Sequence, residues 1–507
     1  MNIRQAKEEI KNTAAAYLLK NEYGEYEIPA MRQRPVLLIG PPGIGKTQIM
    51  EQAARECGIG LVAYTITHHT RQSAIGLPYI AEQEYGGEKR HVTEYTMSEI
   101  VAAVYNKMKE TGLSEGLLFI DEINCVSETL APAMLQFLQY KTFGNHKIPD
   151  GWIIVAAGNP PEYNKSVREF DIATLDRVKK ILVEPDFEVW KEYARQARIH
   201  PAIQSYLTAR PQYFCQVETT VDGKAFATPR GWEDLSKFLT VYEKLGKPCG
   251  REVIIQYIQH GKIARDFANY LELYRQYQAE YQIDDVLAGQ KNERLMEHAA
   301  KASFDEKLSV ISLILSKLDV EFRRTGRKED YLELVLEEMK AFGQAVSGGD
   351  AAGLAALDVF SGQAERFAGE TEAKQKAGLL TREEQYLRRD VLDALNRYLL
   401  TARSEGLSDG EAVLARFREL FSAGRAEYEA MCEKTLAMLE HAFDFMEGAF
   451  GDSQEMVMFV TELNASRPAL RFLQENECER YYQYNEKLLF EDKAAALLGK
   501  LDRLGAF

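Results

Sequence analysis

Eight consecutive residues, Gly40-Pro41-Pro42-Gly43-Ile44-Gly45-Lys46-Thr47, fit the pattern G-x-x-x-x-G-K-[ST] in full. Glycines at these positions let backbone N–H groups converge on phosphate oxygens, where a side chain would block the approach. Lys46 is placed to reach the β- and γ-phosphates of ATP, and the Thr47 hydroxyl to bind Mg²⁺. The flanks suit the motif: Arg34–Ile39 reads as a strand and Gln48–Cys57 as a helix. The N-terminus of that helix adds partial positive charge where phosphate would sit. A glycine-rich turn without a ligand is the plain alternative, and the strand and helix on either side argue against it.

About 70 residues later, Leu117-Leu118-Phe119-Ile120-Asp121-Glu122 places two carboxylates at the end of a buried apolar strand. In open α/β sheets, ligands bind at that edge. Asp121 is the candidate for holding Mg²⁺, and Glu122 for polarising an attacking water. Alone, an apolar run ending in two acids is a weak signal, since many strands end in solvated acids. After a phosphate loop it is strong. The next strand-like run, Trp152–Ala157, ends in Gly158-Asn159-Pro160-Pro161, where the Asn159 amide could touch both the γ-phosphate and the water. Elsewhere Asn-Pro would be an ordinary turn.

These residues need a scaffold, and the first half of the chain supplies one. Short apolar runs at Val36–Ile39, Gly60–Thr67, Leu117–Asp121, Trp152–Ala157 and Lys180–Glu184 alternate with helical patterns, which predicts an α/β parallel sheet with helices on both faces. Asp186–Lys244 reads as helices only, a small lid. Phe267, Tyr270, Tyr274, Tyr277 and Tyr281 recur at helical spacing, which fits a packed helix face better than a partner-binding stripe. Of the 15 prolines, 14 precede residue 250, as do all three tryptophans, so the composition changes there. From Lys291 onward 29 basic residues face 40 acidic ones, and the periodicity is helical, with breaks at Gly348-Gly349 and Gly406. The expected division is an ATPase core over 1–185 with an N-terminal helix, a helical lid over 186–285, and an all-helical adaptor or partner-binding region over 286–507.

At 507 residues the chain is too long for a single core. No apolar stretch is long enough to span a membrane, and the charged, amphipathic N-terminus lacks a signal-peptide run, so a cytoplasmic location is expected. The six cysteines lack any C-x-x-C spacing and read as reduced thiols. A net charge of −15 disfavours a phosphate backbone as partner, so no nucleic acid is expected.

The order of phosphate loop, D-E strand, Asn strand tip, Leu-Asp-Arg and Arg-bearing helix resembles the AAA+ superfamily. The phrasing is similar to its MoxR-type branch. The carriers are Gly40–Thr47, Phe119-Ile120-Asp121-Glu122-Ile123-Asn124, Gly158-Asn159-Pro160 and Ala173-Thr174-Leu175-Asp176-Arg177. The resemblance spans roughly residues 30–245 and leaves the C-terminal half unassigned. It implies an arginine finger reaching into a neighbouring subunit's site: Arg177, with Arg168 in reserve, although Asp176-Arg177 could also be a structural ion pair. A finger is worth roughly 10³–10⁵ in rate. The resemblance also implies a second sensor, matched by Arg230 after Pro229. Proline suits the first turn of a helix, whereas a cation there is unfavourable unless an anion such as the γ-phosphate faces it. A surface arginine is the alternative.

Leu77–Tyr95, turning at Gly86-Gly87, reads as a hairpin, and so does Tyr140–His146. The MoxR-type branch carries hairpins at both places, facing a pore or substrate, and passive loops remain the alternative. His68-His69 lacks metal-ligand spacing and reads as loop. The resemblance thus implies a ring-forming homo-oligomer, a hexamer, with chaperone-like remodelling of a client, one carrying a von Willebrand A domain. A nucleic-acid motor would need a basic module that the sequence lacks. A slow regulatory ATP switch with a helical binding module is the third reading.

Overall fold

The structure is a computed structural model that describes residues 1–68, 74–143, 146–163, 167, 170–220, 223–347 and 356–488. The chain forms two compact units. The first comprises Met1–Val189 with Thr228–Arg230 and Gly369–Gln385; the second comprises Trp190–Ala227, Gly231–Ala368 and the residues from Tyr386 on.

In the first unit the strands among the described residues are β1 (Val36–Ile39), β2 (Gly60–Thr65), β3 (Pro78–Tyr85), β4 (Glu88–Tyr95), β5 (Gly116–Asp121), β6 (Thr142–Phe143), β7 (His146–Lys147), β8 (Trp152–Gly158) and β9 (Lys179–Leu182). Five of them make one parallel sheet in the order β2-β5-β8-β1-β9. The inner runs β1, β5 and β8 are apolar almost throughout because both faces are covered, whereas the edge strand β9 begins with Lys179-Lys180. Side chains alternate between the faces. Leu117 and Phe119 of β5, with Ile153 and Val155 of β8, pack with α1 (Ile3–Leu18) and α2 (Lys46–Cys57) through Ile10, Ile49 and Met50. Leu118 and Ile120, with Ile154 and Ala156, pack on the other face with α3 (Glu99–Thr111) and α4 (Ala131–Tyr140) through Val101, Val104 and Phe137.

The sheet matches the predicted α/β architecture, with small shifts at strand ends. β2 stops at Thr65, where a 3₁₀ turn, Ile66–His68, replaces the expected last two residues. The hairpin β3–β4 pairs Pro78 with Tyr95 through Tyr85 with Glu88 around Gly86-Gly87. The second hairpin pairs only Thr142 with Lys147 and Phe143 with His146. Its turn residues, like His69 and Gly348-Gly349, lie outside the described residues.

The second unit corrects one expectation. The stretch read as helices only contains an antiparallel hairpin, β10 (Gln216–Thr220) with β11 (Gly223–Ala227). The β-branched Val217, Thr219 and Thr220 before Asp222-Gly223 are a hairpin signature that the surrounding helical patterns obscured. The aromatic stripe is a packed face: Phe267, Tyr270, Tyr274 and Tyr281 are buried, and the Tyr270 hydroxyl meets Ser205 at 2.8 Å and Ser309 at 3.0 Å. Beyond it the described elements are all helices, as expected. Helices Phe304–Ser347 (44 residues) and Gly410–Phe450 (41 residues) pack against each other, and Phe342, Phe360 and Phe417 anchor the core they share with Ala356–Ala377 and Arg382–Ser404. Among the described residues no helix is long and apolar enough to cross a membrane.

One packing detail governs the start of the central strands. A Cβ on Gly116 would lie 2.7 Å from the Trp152 ring and 2.8 Å from the Gly60 carbonyl oxygen, both closer than atoms tolerate. Gly116→Ala should therefore destabilise the protein by about 1–3 kcal/mol through forced displacement of a buried indole. A denaturation midpoint equal to wild type would show that the strand start can yield.

Candidate functional site

The sheet order explains how residues far apart in sequence meet. β1 lies beside β8, and β8 beside β5, so the loop after β1, the tip of β8 and the end of β5 share one edge. The phosphate-binding loop turns between β1 and α2 through Gly43 (φ +77°) and Gly45 (φ +93°), backbone conformations that side chains disfavour. Gly45 leads directly into α2, so the first N–H groups of that helix open toward the loop. Pro41 and Ile44 are buried, while Pro42 and Gly43 are half-buried.

Lys46 is buried, and its ammonium donates to the carbonyls of Gly40 (2.7 Å) and Pro41 (2.8 Å) and to Asn159 Oδ1 (3.0 Å). Burial pushes this ammonium down to about 8; Asp121 and Glu122 oppose the shift, while the Arg230 cation adds to it. Thr47 Oγ1 donates to Asp121 Oδ2 at 3.2 Å, so a hydroxyl and a carboxylate stand side by side as hard oxygen donors of the kind Mg²⁺ takes. The other Asp121 oxygen accepts from the Glu122 backbone N–H at 2.9 Å.

Glu122 has φ +58°, a left-handed conformation that costs a non-glycine residue about 1–3 kcal/mol. The turn redirects the chain at the end of β5, and Thr67 Oγ1 donates to Glu122 Oε2 at 3.0 Å. Asn159 is held through its backbone: its carbonyl accepts from Asn124 Nδ2 at 2.8 Å and its N–H donates to Asn124 Oδ1 at 3.3 Å. Neither Thr67 nor Asn124 was singled out from sequence. Asn124 stood in the quoted Phe119–Asn124 run without a role, and Thr67 carried no local signal because only strand pairing brings it to Glu122.

Arg230 is exposed near the start of helix Pro229–Lys244 and abuts the phosphate loop, with its Cβ 3.0 Å from where a Cβ on Gly43 would stand. Arg177 is exposed beyond the short helix Ile172–Leu175; among the described residues its guanidinium has no hydrogen bond and feels the charge of Asp171. The expected sites thus gather Lys46, Thr47, Asp121, Glu122, Asn159 and Arg230 around the loop, while Arg177 stands on the surface. Arg168 lies outside the described residues.

A buried ammonium, a hydroxyl–carboxylate pair, a second carboxylate and an amide at one sheet edge can bind a polyphosphate with a divalent cation. Residues 35–178 match the AAA domain family (dynein-related subfamily). This segment is an AAA+ ATPase domain. No curated protein matches the chain. The matched span of the AAA domain contains Lys46, Thr47, Asp121, Glu122, Asn159 and Arg177, whereas Arg230 lies beyond it.

The depressed Lys46 gives the AAA domain a testable pH response. In the free protein the ammonium loses its proton near pH 8, whereas a bound triphosphate favours the charged form. Nucleotide affinity should be full below pH 8 and fall as pH rises from about 8 toward the ordinary lysine value. Binding at pH 9 should take up close to one proton. Calorimetry in buffers of different ionisation enthalpy measures this, and Lys46→Met should abolish the uptake. Equal affinity and no proton uptake at pH 9 would contradict the assignment.

Proposed function

We propose that the chain is a ring-forming, MoxR-like ATPase, a hexamer, that hydrolyses ATP with Mg²⁺ and uses the cycle to remodel or assemble a client protein carrying a von Willebrand A domain. The observation that carries the ATPase reading is the hydrogen-bonded set Lys46–Asn159 and Thr47–Asp121 at one sheet edge. The two hairpins, β3–β4 and β6–β7, support the MoxR-like branch, since they stand where that branch carries them. Exposed Tyr79, Ile80 and Tyr85 on β3 give the first hairpin an apolar surface for a protein client. In this reading residues 186–285 serve as the lid and residues 286–507 as the adaptor.

The division of labour follows from the contacts. Thr47 and Asp121 would hold Mg²⁺, which neutralises and orders the phosphate oxygens. Lys46 leaves the Gly40 and Pro41 carbonyls for the β- and γ-phosphates. Glu122 must release Thr67 before its carboxylate can polarise the attacking water, and Asn159 orients that water against the γ-phosphate. Arg230, at the phosphate loop, senses the γ-phosphate. The exposed Arg177 stabilises the transferring phosphoryl group in the neighbouring subunit.

Glu122→Gln preserves size and hydrogen bonding but not the base. It should bind MgATP normally while turnover falls about 10²–10⁴-fold. Retention of most of the turnover would remove Glu122 from the role of base.

The shared site is tested by mixing two inactive proteins. Arg177→Ala should lower turnover about 10³-fold or more with ATP binding nearly intact. Mixed with Glu122→Gln subunits, which still present Arg177, some Arg177→Ala sites should regain hydrolysis. Mixed rings confirmed by size measurement that stay inactive would make Arg177 structural or confine its action to its own subunit.

A further inference from the structure

Within the second unit, Lys191 and Arg195 of helix Phe187–Gln196, with helices Pro201–Ala209, Phe304–Ser347 and Gln454–Ala465, border a cavity of about 480 Å³. Small-molecule sites typically occupy about 300–1,000 Å³. The floor is apolar, with Leu308, Ile311, Phe322 and Leu463 buried beneath it. The wall is cationic: Lys191, Arg195, Arg198, Arg323, Arg324 and Arg327 line it, against the carboxylates of Asp319 and Glu462 alone. In a chain of net charge −15, this local excess of cations opposes the average field.

Both carboxylates are engaged. Glu462 accepts from Lys191 at 2.5 Å and also from Arg195, so one half-buried anion answers two cations. Burial pushes the Glu462 carboxyl up, but the two cations outweigh it and hold it below the usual range, so it is ionised at neutral pH. Asp319 accepts from Arg323 at 2.6 Å and from Ser466 at 3.3 Å. Arg323 also donates to the Arg195 carbonyl at 2.8 Å, fixing the guanidinium at the wall. Arg327 also meets Asp390, which lies outside the lining. An uncharged ligand would have no use for the cations, and a bare inorganic anion none for the apolar floor.

We infer that this cavity binds a small amphipathic anion: one carboxylate or phosphate head against Lys191, Arg195 and Arg323, with an apolar body over Leu308 and Ile311. The site is independent of the nucleotide chemistry.

Calorimetric titration of the 507-residue chain with decanoate tests it, with acetate and decanol as the two halves of the ligand. Decyl phosphate, titrated into Lys46→Ala so that the phosphate loop does not contribute, tells a phosphate head from a carboxylate head. Decanoate or decyl phosphate should saturate one site per chain, with decanol and acetate each at least tenfold weaker. Ser316→Trp, which fills the cavity, should abolish saturation. Arg324→Glu, which reverses one wall charge without touching the Glu462 cluster, should weaken binding at least tenfold. The inference fails if decanol binds within twofold of decanoate, or if Ser316→Trp binds as wild type does. It also fails if neither anion saturates while an acidic apolar peptide does. If Ser316→Trp does not fold, Arg324→Glu decides: unchanged affinity there overturns the site.

Discussion

A parallel sheet delivers the C-terminal ends of all its strands to one edge, and every functional contact in the first unit depends on that constraint. Parallel strands need long crossovers, so neighbours in space are distant in sequence. β1 lies between β8 and β9, and this placement alone brings Lys46 within 3.0 Å of Asn159. β8 lies beside β5, so Asn124, just beyond β5, can brace the backbone of Asn159. The glycines at the other end of the sheet serve the same register: Gly60 and Gly116 make room for Trp152, whose ring could not otherwise lie across the strand starts.

The edge so formed is electrostatically tense. A buried ammonium with only neutral acceptors around it is held at a cost, which burial makes visible in the lowered Lys46. Arg230 lies close enough to add to that cost, and Asp121 and Glu122 offset part of it. Such an arrangement gains from a multivalent anion, which would satisfy both cations at once. Backbone strain lies in the same place: Glu122 sits in the left-handed region, braced by Asp121 on its backbone and Thr67 on its carboxylate. A glutamate held in this way is positioned but already bonded, so its availability depends on what Thr67 does.

The second unit is built on a different principle. Its long helices bury aromatic faces rather than carrying chemistry, and elements distant in sequence pack together, as Phe304–Ser347 does with Gly410–Phe450. Polar groups within it are largely paired, as with Tyr270 between Ser205 and Ser309. The cluster around Glu462 departs from one-to-one pairing by setting two cations on one half-buried carboxylate. A core cavity with that charge is costly to maintain unless something offsets it.

Much of this was readable from the chain alone, wherever the physics is local. The phosphate loop, the strand carrying Asp121-Glu122 and the packed stripe from Phe267 to Tyr281 are short patterns in which period, glycine placement and neighbouring residues suffice. β10–β11 was legible in Asp222-Gly223 but was overridden by helical patterns on both sides. What only the tertiary structure decided was partnership: Thr67 with Glu122, Asn124 with Asn159, Arg230 against Gly43, Lys191 and Arg195 on Glu462. Each joins residues on elements that become neighbours through sheet order or helix packing. A linear pattern records the period of each element but not which elements lie side by side, because that is settled by burying all the apolar faces together.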